Sequence, residues 1–125
     1  MNLSSAAAVN PVPGGSAYCA AKAALLHFSK VLALEEPDIA VLSYYPGEVD
    51  TPMQAEIREK TQVGPFDAIH QFFVEQYEQG HLMTPEQSAL AVVALALGAP
   101  KVWSGEYLSV DEVRIQDLTR DFFTN

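Results

Sequence analysis

Hydrophobic and polar positions along the chain follow first a helical and then a strand-like pattern. Apolar residues recur at near-helical spacing over Ala17–Glu36, with Ser16 as the predicted N-cap and Pro37 as the stop. An apolar and β-branched run, Ile39–Tyr45, follows and is typical of a buried parallel strand. A helix followed directly by such a strand predicts a βαβ unit and therefore an α/β fold.

Shorter elements are predicted on both sides of this unit. Residues 2–5 have the pattern of a strand end, and residues 10–16 are a loop by their Pro and Gly content. Residues 47–53 form a loop after the buried strand, at the sheet edge where open α/β folds bind ligands. Over residues 54–79 the pattern predicts one or two helices, interrupted near Gly64-Pro65.

The last third of the chain predicts one more helix and one more strand. Thr84 is the expected N-cap of a helix that extends to about Leu97, and Gln87 completes a capping box. The run Glu106–Val110 predicts a short final strand. From Asp111 onward we expect an acidic tail that covers a surface edge.

The composition narrows the class of protein. With 125 residues, 49% of them hydrophobic, the chain predicts one modest domain, residues 1–125, with one core. Its 7 basic and 16 acidic residues give a net charge of -9, which repels nucleic-acid phosphates and anionic lipid surfaces. No signal peptide is recognisable, and no stretch approaches the roughly 18 uninterrupted apolar residues of a membrane span. This charge predicts a protein without nucleic-acid or membrane partners. Because Cys19 is the single cysteine, no intrachain disulfide can form, and we expect a cytoplasmic protein.

Candidate chemistry concentrates at the start of the predicted long helix. Tyr18 and Lys22 lie four residues apart, so a helix places the phenol and the ammonium on one face. Ser5 lies thirteen residues before Tyr18, after the predicted strand end, and can bring a hydroxyl to the same place. A phenol, an ammonium and a hydroxyl that converge are suited to carbonyl reduction. The same spacing is also typical of solvated Tyr and Lys pairs, so the interpretation depends on its context.

That context is a set of motifs in a fixed order. Ser4-Ser5, the segment S-A-Y-x-A-x-K-A-A around Tyr18, and the later P-G-x-V-x-T together resemble the short-chain dehydrogenase/reductase family. The resemblance covers nearly the whole chain, as the C-terminal half of a family member, and is greatest to fungal benzil reductases and sepiapterin-reductase-like members. It implies an α/β fold that is half of a Rossmann-type, doubly wound parallel sheet. It also implies hydride transfer between NADP(H), with NAD(H) not excluded, and a small-molecule carbonyl or secondary alcohol.

The resemblance assigns a role to each residue of the triad. Tyr18 is the general acid in carbonyl reduction and the base in alcohol oxidation. Lys22 supplies an ammonium that favours the phenolate and, in the family, also holds the nicotinamide ribose, so both residues belong to the cofactor site as well. Ser5 donates a hydrogen bond to the substrate carbonyl and stabilises the developing alkoxide.

The loop after the buried strand matches the family segment that meets the nicotinamide end of the cofactor. Gly47 lets the backbone approach closely, the Val49 backbone reaches the carboxamide, and Thr51 bonds a phosphate or amide oxygen. The alternative for this loop alone is an ordinary strand-to-helix turn. The expected cofactor-binding residues in it are Pro46, Gly47, Val49 and Thr51.

A second interpretation comes from what the 125 residues do not contain. The family's T-G-x-x-x-G-x-G turn is absent from them, so the N-terminal cofactor-binding βαβ units are missing and about half of the sheet is expected to precede Met1. We therefore expect the chain alone not to be a competent enzyme. The alternative function is a non-catalytic fragment or isoform that associates with full-length relatives. The Ala-rich face of Ala17–Ala33, which carries Tyr18 and Lys22, is a candidate surface for a homo-oligomer.

The remaining polar and aromatic residues are assigned structural roles. Glu48 and Asp50 are expected to be solvated, and Cys19 to be a small packing residue. The three histidines have no metal-ligand spacing, so no metal site is predicted; they are His27, His70 and His81. Aromatic residues at helical spacing are expected in the core or in a lid over the substrate; they are Phe66, Phe72, Phe73 and Tyr77.

Overall fold

A computed structural model describes residues 1–60, 64–65 and 67–124 of the chain. Its strands are β1 (Asn2–Leu3), β2 (Ser43–Tyr45) and β3 (Tyr107–Ser109). Its α-helices are α1 (Ser16–Glu35), α2 (Pro52–Glu59), α3 (Asp67–Glu78), α4 (Pro85–Gly98) and α5 (Val113–Thr124).

The three strands form one parallel sheet in the order β1-β2-β3. Tyr44 of β2 lies at the centre, in register with Leu3 on one side and Leu108 on the other. The predicted strand over residues 39–45 is longer than the paired one, because only its last three residues have ladder partners. Val41 and Leu42 are nevertheless buried, so the apolar run marks the central layer of the fold.

The main core lies on one face of this sheet. Side chains alternate along a strand, so Tyr44 and Leu108 point to the face opposite that of Ser43 and Tyr45. Helices α4 and α5 cover the Tyr44 face, and no side chain of this cluster is more than 7% exposed. The cluster consists of Leu42, Tyr44, Ala91, Leu95, Leu108 and Ile115.

Helix α1 lies on the other face of the sheet. The amide of Asn2 donates a hydrogen bond of 2.6 Å to Ser29 Oγ, which is buried in the middle of the helix. Helices on both faces of a parallel sheet confirm the predicted α/β fold. Much of α1 is exposed, and its length and mean hydropathy would allow it to cross a membrane. Helices that pack against protein surfaces meet the same criteria, so this finding alone assigns no membrane contact.

Three sequence predictions about helices can be compared with the structure. The capping box at Thr84 and Gln87 is confirmed, and α4 ends one residue later than expected. The predicted cap of α1 is wrong, because Gly15 takes the N-cap position and Ser16 is the first helical residue. The tail predicted from Asp111 is also wrong, because α5 begins at Val113 and packs against α4.

Candidate active site

A cavity of about 550 Å³ opens where the chain leaves the carboxyl ends of β1 and β2. Its described walls come from the segment after β1, the start of α1, the loop after β2, and helices α2 and α3. The walls are mostly apolar. The lining residues include Ser4, Ser5, Tyr18, Tyr45, Pro46, Gly47, Glu48, Val49, Thr51, Gln54, Ile57, Ile69, Phe72 and Phe73.

Ser5 is held at the cavity wall by both its side chain and its backbone. It has extended φ and ψ angles and caps the short 3-10 helix Ala6–Ala8, where its Oγ accepts a hydrogen bond of 3.2 Å from the Ala7 N–H. Its carbonyl oxygen accepts a 3.2 Å bond from the Tyr107 hydroxyl of β3. The cap uses Ser5 Oγ as an acceptor, so the hydroxyl proton can still be donated to a ligand.

Tyr18 lies in the first turn of α1, lines the cavity and is 44% exposed. Lys22 follows one turn later, with its Nζ 5.7 Å from the centroid of the Tyr18 ring. That Nζ also donates a hydrogen bond of 2.9 Å to the Leu3 carbonyl of β1. These two contacts place Lys22 beside the phenol and next to β1. Lys22 is not among the described residues that line the cavity.

The loop after β2 is shaped by a glycine and by a backbone bridge. Gly47 has a φ of +78°, and a Cβ there would lie 3.1 Å from Val110 Cγ1, so only glycine fits without strain. Val49 forms a parallel bridge with Met83. Thr51 then caps α2, where its Oγ1 accepts a bond from the Gln54 N–H at 3.4 Å. All four loop residues predicted from the sequence, Pro46 included, line the cavity.

The expectation that Glu48 and Asp50 are solvated is wrong for Glu48, whereas Asp50 is exposed as expected. The Tyr45 hydroxyl donates a 2.6 Å hydrogen bond to Glu48 Oε1, and both residues line the cavity. Burial and this bond hold the pKa of the Tyr45 phenol well above its ordinary value. Asp50 pairs with Arg58 of α2 at 3.1 Å. No local sequence pattern indicates the Tyr45 contact, because it depends on how the chain turns after β2.

Helices α2 and α3 form the outer wall of the cavity. The predicted lid residues Phe72 and Phe73 line it, with Ile57 and Ile69 beside them. Tyr77 instead stacks under the Arg58 guanidinium, at 4.0 Å from the ring centroid, and Phe66 lies outside the described residues.

Two polar atoms at the cavity are buried without a partner among the described residues. They are Ser4 Oγ and Gln54 Oε1, both on lining residues to which the sequence analysis assigned no role in the site. Such atoms are available to a bound ligand or to water. The described ranges contain no group of three His, Cys, Asp or Glu residues that could hold a metal ion.

Known proteins with similar sequences and structures are oxidoreductases. A family profile described as short chain dehydrogenase matches residues 1–62. A benzil reductase ((S)-benzoin forming) of Bacillus cereus is 37% identical over 116 residues, which cover 90% of this chain and 45% of that protein. Sepiapterin reductase of Bos taurus is 40% identical over 108 residues, which cover 86% of this chain and 39% of that protein.

A solved structure supports the same relationship. A short chain dehydrogenase/reductase of Saccharomyces cerevisiae superposes with a TM-score of 0.80 at 32% sequence identity, covering 93% of this chain and 47% of that one. The chain therefore spans less than half the length of each of these three relatives. Together with the parallel sheet, these similarities show that the chain belongs to the short-chain dehydrogenase/reductase family.

Proposed function

We propose that this chain carries the substrate-reducing half of an oxidoreductase that transfers hydride between NADP(H) and a carbonyl or secondary alcohol. The observation that supports this most is that Ser5 and Tyr18 line one cavity, while the Lys22 ammonium lies beside the Tyr18 ring. The cytoplasm is the proposed location.

Tyr18 and Ser5 act together on the carbonyl oxygen. As negative charge develops on that oxygen, the Tyr18 hydroxyl transfers its proton to it, which gives the alcohol and leaves a phenolate. Ser5 donates a hydrogen bond to the same oxygen and stabilises its charge before the proton arrives. Lys22 lies close enough to the phenol ring to stabilise the phenolate that remains.

Residues around the cavity fit the nicotinamide end of the cofactor. A carboxamide carries one acceptor and two donors, and the unpartnered Ser4 hydroxyl and Gln54 amide oxygen offer the matching groups. Gly47 keeps the backbone close to the cavity, and Val49 and Thr51 lie on the same wall. When bound, the nicotinamide would supply the hydride to the carbonyl carbon.

The proposed substrate is an aromatic ketone or diketone, or a pterin-like ketone. The apolar wall formed by Ile57, Phe72 and Phe73 favours a planar aromatic group. Relatives named benzil reductase and sepiapterin reductase are consistent with these two substrate classes.

The proposal can be tested in a fusion that supplies a complete sheet. Residues 1–125 are placed after the part of the S. cerevisiae relative that precedes the matched region, and NADPH oxidation is followed with benzil. We expect turnover with NADPH to exceed that with NADH. Ser5→Ala should lower kcat by about 10²-fold or more, as expected for loss of an oxyanion donor. Ser16→Ala, on an exposed residue of α1, is the control, and an equal effect of both variants would refute the role of Ser5.

The exposed face of α1 favours a second candidate, a chain that acts by association. Phe28, Val31 and Leu34 are 57%, 38% and 83% exposed and lie at helical spacing on one side. A second copy or a full-length relative would cover this side. Under this candidate Phe28→Asp lowers the oligomeric state in light scattering, and NADPH does not bind the 125-residue chain. Saturable NADPH binding at micromolar levels would refute a purely associating role.

A further inference from the structure

Among the described residues that line the cavity, one carries a formal charge. Glu48 is the only ionisable acid or base, apart from the two tyrosines, among the described residues that line it. No Lys, Arg or His within the described ranges forms an ion pair with its carboxylate. A partly buried carboxylate without a cation favours ligands that bring a positive charge or an N–H donor to it.

The position of this carboxylate is fixed from both sides. The Glu48 carbonyl accepts a 3.0 Å hydrogen bond from the Met83 N–H, and the bridge between Val49 and Met83 follows directly. On the side chain, the Tyr45 hydroxyl holds Oε1 at 2.6 Å. The raised pKa of Tyr45 keeps this phenol a donor in alkaline solution as well as at neutral pH. One carboxylate oxygen is therefore held, and Oε2 has no described donor.

The neighbouring walls provide room for the rest of a ligand. Phe72 and Phe73 pack edge to face, with ring centroids 5.4 Å apart, and both line the cavity that contains Glu48. Tyr18 and Ser5 line it as well, so a single ligand within this volume can reach the hydroxyls and the carboxylate.

We infer that Glu48, positioned by Tyr45, is a specificity residue that selects ketones bearing an ammonium or a comparable cationic nitrogen over neutral ketones of the same size. This inference rests on the proposed function, because it takes the carbonyl to lie at Ser5 and Tyr18. It adds a charge requirement that the apolar walls by themselves do not impose.

The test measures binding of two matched ketones to the 125-residue chain, without cofactor and without turnover. The probes are para-(aminomethyl)acetophenone, which is an ammonium at neutral pH, and para-ethylacetophenone, which has the same shape without charge. Chemical-shift titration of the backbone amides gives each Kd, and shifts of the Gly47 and Val49 amides identify binding at this cavity. We expect the wild-type chain to prefer the ammonium ketone by about tenfold or more, as a charge-assisted hydrogen bond provides.

Three variants assign the preference to Glu48. Glu48→Gln keeps the shape and should reduce the preference to less than about twofold. Tyr45→Phe removes the only described donor that positions the carboxylate, so the preference should fall, and this variant provides the answer if Glu48→Gln does not fold. Glu35→Gln removes one exposed negative charge at the end of α1 and should leave the preference unchanged.

Four results would overturn the inference: no preference in the wild-type chain, a preference retained in Glu48→Gln, a preference unchanged by Tyr45→Phe, or no saturable shift with either ketone. None of these measurements involves turnover. A failed preference therefore refutes the role of Glu48 and leaves the reduction chemistry standing, whereas the proposed function fails on the turnover of the Ser5→Ala fusion.

Discussion

Replacing Tyr44 by phenylalanine tests how the centre of the sheet is packed. Tyr44 is fully buried, and its hydroxyl has no hydrogen-bond partner among the described residues. Burying an unpaired hydroxyl costs about 1–3 kcal/mol in protein mutational data. Tyr44→Phe removes that group and keeps the ring, so we expect the free energy of unfolding at neutral pH to rise by about 1 kcal/mol.

The same variant should change how stability depends on pH. Burial, with a smaller contribution from the nearby Asp111 charge, raises the pKa of Tyr44 from 10.0 to about 12. Between these values the unfolded chain loses the proton while the folded chain keeps it, so stability falls as the pH rises through this window. For a shift of this size the loss is about 1.4 kcal/mol at pH 11, and Tyr44→Phe should not show it.

Urea unfolding followed by far-UV circular dichroism, at about pH 8 and about pH 11, measures both effects. The difference in unfolding free energy between the variant and the wild type should grow by about 1.4 kcal/mol between the two conditions. Tyr77→Phe, on a residue that is 53% exposed, controls for the loss of a phenol as such. This description of the core would be refuted if Tyr44→Phe were less stable than the wild type at about pH 8. It would also be refuted if the difference in unfolding free energy did not grow between about pH 8 and about pH 11.

Three further substitutions test the helices and the loop around the site, each by urea unfolding. Ile115→Ala should lower the free energy of unfolding by about 2–5 kcal/mol, because the Ile115 side chain is fully buried against the sheet. A change below about 1 kcal/mol would show that α5 does not pack against the sheet as described. Thr84→Ala should cost about 1 kcal/mol through loss of the capping box, and Thr84→Ser should restore most of it. Gly47→Ala should destabilise the chain by about 1 kcal/mol or more, because φ is +78° and the added Cβ would lie 3.1 Å from Val110 Cγ1. Gly80→Ala should destabilise it less, because Gly80 has a similar φ but no atom within 4 Å of the added Cβ.

Elements with local signals were predictable from the sequence. The alternation of helix and strand patterns predicted the α/β fold with a parallel sheet. The capping-box pattern predicted where α4 begins. The Thr-Pro-x-Gln pattern that begins α4 also occurs at Thr51, so the true start of α2 could have been found in the same way. Helix α5 is not predicted, although Ile115, Leu118 and Phe122 have helical spacing, because the charged residues between them obscure this period.

Features that depend on distant parts of the chain could not be predicted. The Tyr107 hydroxyl reaches the Ser5 carbonyl across 102 positions of sequence, and the Lys22 amine bonds the Leu3 carbonyl of the edge strand. Such contacts are set by strand order and by the packing of α1, which a local pattern does not contain. The sequence could place Tyr18 and Lys22 on one helix face, but it could not show that only the phenol lines the cavity.

The turnover of Tyr18→Phe, in the fusion with the S. cerevisiae segment, tests whether Tyr18 is the general acid of carbonyl reduction. The variant keeps the ring at the cavity wall and removes the proton that carbonyl reduction requires. We expect kcat for NADPH-dependent benzil reduction to fall by about 10²-fold or more, while the matched control Tyr77→Phe stays close to the wild type. Turnover in Tyr18→Phe within about threefold of the wild type would contradict the assignment of Tyr18 as the general acid.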